Sequence, residues 1–122
     1  EQSIVLNQPA GHWESDETLT AAAARETLEE TCYHFQPASL VGVYRWPHPA
    51  KDIVYLRFAF SGAVLGFDAN RTLDTSILRA LWLTPDELRA QTARHRSPLV
   101  MRCVEDYLAG KRYALDLLTH FS

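Results

Sequence analysis

The chain predicts an α+β domain in which a mixed β-sheet is packed between helices. Three observations carry that prediction. One helical pattern comes first, β-like runs follow, and shorter helical patterns close the chain, without the regular alternation that builds a parallel sheet. Within Ile53 to Ala63, Val54, Leu56, Phe58 and Phe60 alternate with Tyr55, Arg57 and Ala59, the period of a strand with one face in a core and one open. A length of 122 residues with 47% hydrophobic content supplies one core and needs no second domain.

Ser3 to Leu6 reads as a short β-like run, and Asn7 to Asp16 as a loop punctuated by Pro9 and Gly11. The loop leads into a helix over Leu19 to Thr31, with Thr18 as N-cap and Leu19, Ala23, Thr27 and Leu28 able to face a core. Ser39 to Trp46 and Ile53 to Ala63 are the main strands, and Arg79 to Leu83 a further one. Pro85 stands at the first position of a short helix. Ser97-Pro98 starts a longer helix that ends before Gly110. Trp82, flanked by Leu81 and Leu83, is assigned to packing.

Composition excludes several classes of function. A formal charge of −3, with acidic residues gathered between positions 14 and 30, gives no basic footprint for a nucleic-acid polymer. No apolar run reaches the ~18 residues of a membrane span, and the amino terminus has no charged-then-apolar signal pattern, so a cytoplasmic protein without a membrane partner is expected. Cys32 and Cys103 form no metal-ligand cluster and are expected as free buried thiols, with no disulfide and no zinc.

The chemistry lies in one stretch: Gly11, five residues, Glu17, seven residues, then Arg25-Glu26-Thr27-Leu28-Glu29-Glu30. At ordinary residue frequencies six such matches arise by chance with odds of roughly one in 10⁵. Glu26, Glu29 and Glu30 are three and four residues apart and share one helix face. Carboxylates on one stripe suit a hard cation such as Mg²⁺, whose shell a substrate's phosphate oxygens complete. Arg25 is always charged and can grip a carboxylate with two hydrogen bonds; Glu29 and Glu17 are its expected partners, and orientation its expected role. A solvated acidic face would explain the glutamates, but neither Gly11 nor Glu17.

This spacing resembles the signature box of the Nudix hydrolases, whose fold is an α/β/α sandwich around a mixed sheet. Asn7-Gln8-Pro9-Ala10-Gly11-His12, Leu56-Arg57-Phe58, and the tail Arg96-Ser97-Pro98-Leu99-Val100 with Tyr107, Gly110, Arg112-Tyr113 and Leu115 are similar to the NudJ-type phosphatase branch. The resemblance implies metal-dependent hydrolysis, with Mg²⁺ or alternatively Mn²⁺, of small phosphorylated molecules with release of phosphate. In that branch these are a hydroxymethylpyrimidine diphosphate, a thiamine precursor, and nucleoside di- and triphosphates. Carried onto this chain, Glu26, Glu29 and Glu30 would bind metal, with the Gly11 carbonyl as a further ligand. Glu29 or Glu30 would take the proton of the attacking water, and Asp74 and Glu14 are outside candidates for that base. A pyrophosphatase acting on nucleoside triphosphates and a non-catalytic nucleotide-binding module are the alternatives.

Two departures stand out. Cys32 occupies the position where the box has glycine; a non-glycine residue in αL costs roughly 1 kcal/mol or more, so altered capping is expected. Only ten residues precede Gly11, where the family has a strand or two, so a single domain over 1–122 lacking amino-terminal strand residues is expected, as a monomer more than a homodimer. For substrate, Gln8, Tyr44, Trp46, Tyr55 and Arg57 are the candidates: the aromatic rings for stacking on a heterocycle, Arg57 or Lys51 for a terminal phosphate. The five histidines, scattered without ligand spacing, are read as surface or loop residues.

Overall fold

A computed structural model describes residues 4–121. The first helix, α1, spans Leu19–Thr31, the predicted range. Thr18 holds extended backbone and its hydroxyl accepts from the Ala21 N–H, satisfying one donor that a helix start leaves open. The helix ends at Cys32, whose N–H reaches the Leu28 carbonyl at 2.9 Å. Cys32 adopts φ 63° and ψ 15° itself. The expected change of capping is therefore not found: cysteine takes the left-handed conformation that glycine favours. Local contacts hold it there, because Cys32 is buried, its carbonyl accepts from Asp68 N–H at 2.8 Å and its thiol donates to the Arg71 carbonyl at 3.3 Å.

The chain then runs directly into a long antiparallel hairpin of β1 (Tyr33–Pro47) and β2 (Val54–Phe67), both longer than predicted. Tyr44 lies opposite Arg57, and Trp46 opposite Tyr55. Among the described residues parallel pairing is confined to one bridge, Leu6 with His95, while Tyr113 adds an antiparallel bridge to Leu40. Ser3 lies outside the described residues. α2 (Pro85–Arg89) opens on a capping box from Thr84 and Glu87, and α3 (Leu99–Leu108) follows Pro98 and stops before Gly110. Arg79 to Leu83 forms no strand. It finds no backbone partner, and Trp82 is 71% exposed, standing edge-on to Tyr33 with its indole N–H donating to the Tyr33 hydroxyl at 3.3 Å.

Leu40 and Val41 are both buried at the centre of β1, where the register slips between Leu40 and Gly42. α3 covers the Tyr44 and Arg57 face and supplies Leu99, Val100 and Cys103 to the core; the start of α1 lies by Leu56 and Phe58 on the other. On α1 the fully buried residue is Ala22, which the sequence reading had not chosen. Val54 and Leu56, expected in the core, are 53% and 64% exposed. The reason is reach: a helix of 13 residues covers about 20 Å, whereas a strand of 14 extends more than twice as far. Cys32 and Cys103 are free and buried, as expected.

Candidate active site

Arg25 organises the acidic end of the site. Its Nε and Nη2 donate to the two carboxylate oxygens of Glu17 at 3.0 and 2.7 Å, a two-pronged pair. Nη1 meets Glu26 at 2.9 Å and Glu29 at 3.1 Å, Nη2 also reaches the His12 carbonyl at 3.0 Å, and Glu14 lies at 3.6 Å from Nε. The Glu17 bonds come first among the reasons that Arg25 is held above its ordinary pKa; the same bonds hold Glu17 below the usual carboxylate range. The loop residue and the helix residue of the motif are thus joined.

Glu30 faces a different partner set. Its carboxylate accepts the Ala10 N–H at 3.1 Å and is hydrogen-bonded to Glu26. Burial chiefly, then the Glu26 hydrogen bond and the nearby charges of Glu26 and Asp74, raise its pKa to about 8. Gly11 belongs to this arrangement, since a β-carbon there would overlap the Glu26 carboxyl group. Close approach, and not backbone freedom, is what a glycine offers here: a side chain at this position would have to displace the Glu26 carboxyl group. Asp74 is tied to the same helix end through its N–H, which donates to the Glu29 carbonyl at 3.1 Å.

Of the three expected metal-binding glutamates, Glu26 and Glu30 adjoin while Glu29 is turned toward Arg25. Among the described residues no three acidic, histidine or cysteine side chains are gathered into a complete metal cage. The donor set nevertheless suits a hard divalent cation. Two adjoining carboxylates are relieved of repulsion by a shared proton or a cation.

A second group of candidates lies along the α3-facing side of the hairpin. Arg57 Nη1 and Nη2 lie 3.4 Å from Gln8 Oε1 and Asn7 Oδ1, and Gln8 Nε2 donates to the Val100 carbonyl at 2.6 Å. Trp46 and Tyr55 are stacked with centroids 5.9 Å apart, and His48 joins them at 5.4 Å from Trp46. Tyr44 is committed elsewhere: its hydroxyl donates to the buried Asp106 at 2.6 Å, while burial, then that bond, raises its pKa. Asp106 is paired with Arg102 and Lys111. Lys51 is exposed in the hairpin turn.

Sequence reasoning missed Asn7, His48 and the Ala10 N–H. Asn7 and Ala10 lie inside the loop motif already singled out, so proximity to Gln8 and Gly11 was a usable signal. His48 lies two residues after Trp46, itself a candidate, so the same proximity was a usable signal there. His120 was read as a surface residue; it is exposed, yet its Nε2 accepts the Leu19 N–H at 3.0 Å.

A two-stranded hairpin between helices, a helix bearing R-E-x-x-E-E and a glycine loop folded onto its carboxylates together define a Nudix domain, and the NUDIX domain model matches residues 4–103. The chain belongs to the Nudix family and is a Nudix hydrolase, an enzyme of a family that acts on small phosphorylated substrates and generally uses divalent metal ions. It is 38% identical to Phosphatase NudJ of Escherichia coli strain K12 over 116 residues, covering 95% of this chain and 74% of that protein. The Phosphatase NudJ of Shigella flexneri matches with the same identity and coverage. The solved NUDIX hydrolase from Nitrosomonas europaea is 53% identical, with a TM-score of 0.96 over 99% of this chain and 82% of that one. No helix among the described residues is long and apolar enough to cross a membrane.

Proposed function

We propose that this hydrolase is a Mg²⁺-dependent phosphatase of small organic diphosphates, releasing phosphate. A hydroxymethylpyrimidine diphosphate is the best single substrate, with nucleoside di- and triphosphates accepted as well. The observation that carries the reading is the adjoining pair Glu26 and Glu30 packed against Gly11. The 38% identity to proteins named Phosphatase NudJ supports the choice of phosphatase.

In this reading Glu26, Glu29 and Glu30 hold the metal, with the Gly11 carbonyl as a further ligand. When bound, the metal supplies a water of lowered pKa and positive charge to offset that growing on the phosphoryl oxygens. Arg25, fixed by Glu17, orients Glu26 and Glu29. Glu30 or Glu29 accepts the water's proton, and the Ala10 N–H holds one oxygen of Glu30 in place. Gln8, Trp46, Tyr55 and Arg57 contact the organic part and the remaining phosphate. The stacked pair Trp46 and Tyr55 offers ring faces to a heterocycle.

Product-resolved hydrolysis of a panel of the pyrimidine diphosphate, nucleoside di- and triphosphates and a nucleotide sugar, with and without Mg²⁺, tests this. Orthophosphate from the diphosphates, lost on metal removal and in Glu30→Gln, is the expected result. Pyrophosphate from triphosphates would replace the phosphatase by a pyrophosphatase, and absence of metal-dependent turnover would leave a binding module.

A further inference from the structure

Among the described residues Cys32 is the one non-glycine residue with positive φ, at the place where the signature box has glycine. A side chain kept in a conformation that disfavours it is held there by its surroundings, and such positions gather at functional sites. Three hydrogen bonds fasten the segment after β2 to this end of α1. Asp68 N–H donates to the Cys32 carbonyl at 2.8 Å, the Cys32 thiol to the Arg71 carbonyl at 3.3 Å, and Asp74 N–H to the Glu29 carbonyl at 3.1 Å. The first and third join backbone to backbone and do not depend on which side chain stands at position 32. The second needs a side-chain donor, which a glycine lacks. It also falls midway, three residues after Asp68 and three before Asp74.

The segment has little else to hold it at this end. Residues 69–72 and 74–76 are exposed and Leu73 is half-buried, so few apolar contacts oppose its opening. What it carries matters to the site. Asp74 is bonded to the residue just before Glu30, and its charge acts on the Glu30 carboxyl group. We propose that Cys32 is a positioning residue of the active site: its thiol, through the Arg71 carbonyl, keeps Asp74 beside Glu30 and so adds a carboxylate from outside α1 to the charge that a divalent cation meets there. Cysteine at this position therefore serves the site rather than the stability of the fold. This rests on the metal-dependent reading of the acidic stripe and deepens it, since one end of the cation's surroundings is set by a loop and not by the helix.

Amide hydrogen exchange in the whole, metal-free protein, read residue by residue by NMR, tests the tether. In Cys32→Gly the Asp74 amide should exchange about 3- to 10-fold faster, while the Asp68 amide, whose bond needs no thiol, stays as in wild type. Cys32→Ser, whose hydroxyl is a donor for the same carbonyl, should restore the protection of Asp74. Mn²⁺ binding followed by electron spin resonance tests the role. Cys32→Gly should bind about 3- to 10-fold more weakly and Cys32→Ser like wild type; in an Asp74→Asn background the effect of Cys32→Gly should vanish, because both substitutions act through one carboxylate. Equal Asp74 exchange in wild type and folded Cys32→Gly, equal loss of protection at Asp68 and Asp74, additive effects of the two substitutions on Mn²⁺, or no Mn²⁺ binding by wild type would overturn the proposal. Failure of the phosphatase reading is separate, being decided by the products of wild-type turnover, which neither measurement uses.

Discussion

Arg25 grips both carboxylate oxygens of Glu17, at 3.0 and 2.7 Å, and so ties the loop after Gly11 to the helix that carries the acidic stripe. A lysine cannot reproduce this, because an ammonium presents a point charge where the guanidinium presents a fork. Arg25→Lys is expected to lower kcat about tenfold or more while leaving a folded protein by circular dichroism. Activity equal to wild type would show that Arg25 has no orienting role.

Glu30 sets a pH dependence of stability. Its folded pKa, about 8, lies above the ordinary carboxylate value, so between about pH 4.5 and 8 the folded chain keeps a proton that the unfolded chain has released. Stability of the metal-free protein therefore falls as pH rises through that window and levels off above it. Glu30→Gln should flatten this slope in Tm measured from pH 5 to 9, and Mg²⁺ should raise the wild-type Tm most at the alkaline end. A wild-type Tm that climbs steadily across the window would contradict the assignment.

Gly11→Ala would push a methyl group into the Glu26 carboxyl. Since a displacement near 1 Å at a reacting centre can cost on the order of 100-fold in rate, a loss of at least tenfold is expected, with weaker Mn²⁺ binding by electron spin resonance. Unchanged metal affinity together with unchanged rate would mean that the loop yields freely.

Cys32→Gly should be nearly neutral. Relief of the left-handed strain contributes about 1–2 kcal/mol, while the buried thiol and its bond to the Arg71 carbonyl are lost. Urea unfolding is expected to shift by less than about 1 kcal/mol in either direction. A loss of several kcal/mol would show that the thiol, not the conformation, governs this helix end.

Tyr44→Phe leaves Asp106 without its hydroxyl donor and should destabilise by about 1–3 kcal/mol in urea unfolding, with turnover per folded molecule retained. A collapse of turnover at full stability would return Tyr44 to the substrate site.

The helix over Leu19 to Thr31 was legible to the residue because its signals are local: the Thr18 cap, the alanine run and the spacing of the carboxylates along one face. The Gly11 to Glu30 pattern likewise identified the site, since the reach from loop to helix is encoded in fixed spacing. The strand pattern after Ile53 identified a strand, but not which of its residues lie beyond the helix above, so Val54 and Leu56 were misplaced. The apolar run ending at Leu83 looked like a strand in isolation and lacks a partner in space.

By itself, then, the sequence determined the family, the order of elements and the acidic stripe, because each depends on neighbours in the chain. Only the tertiary structure decided that Glu26 and Glu30 adjoin while Glu29 turns to Arg25. It alone set Arg57 among neutral amides and gave Tyr44 to Asp106. These outcomes depend on which groups from distant segments compete for the same hydrogen bonds and on how much water each loses, and neither is written in local spacing.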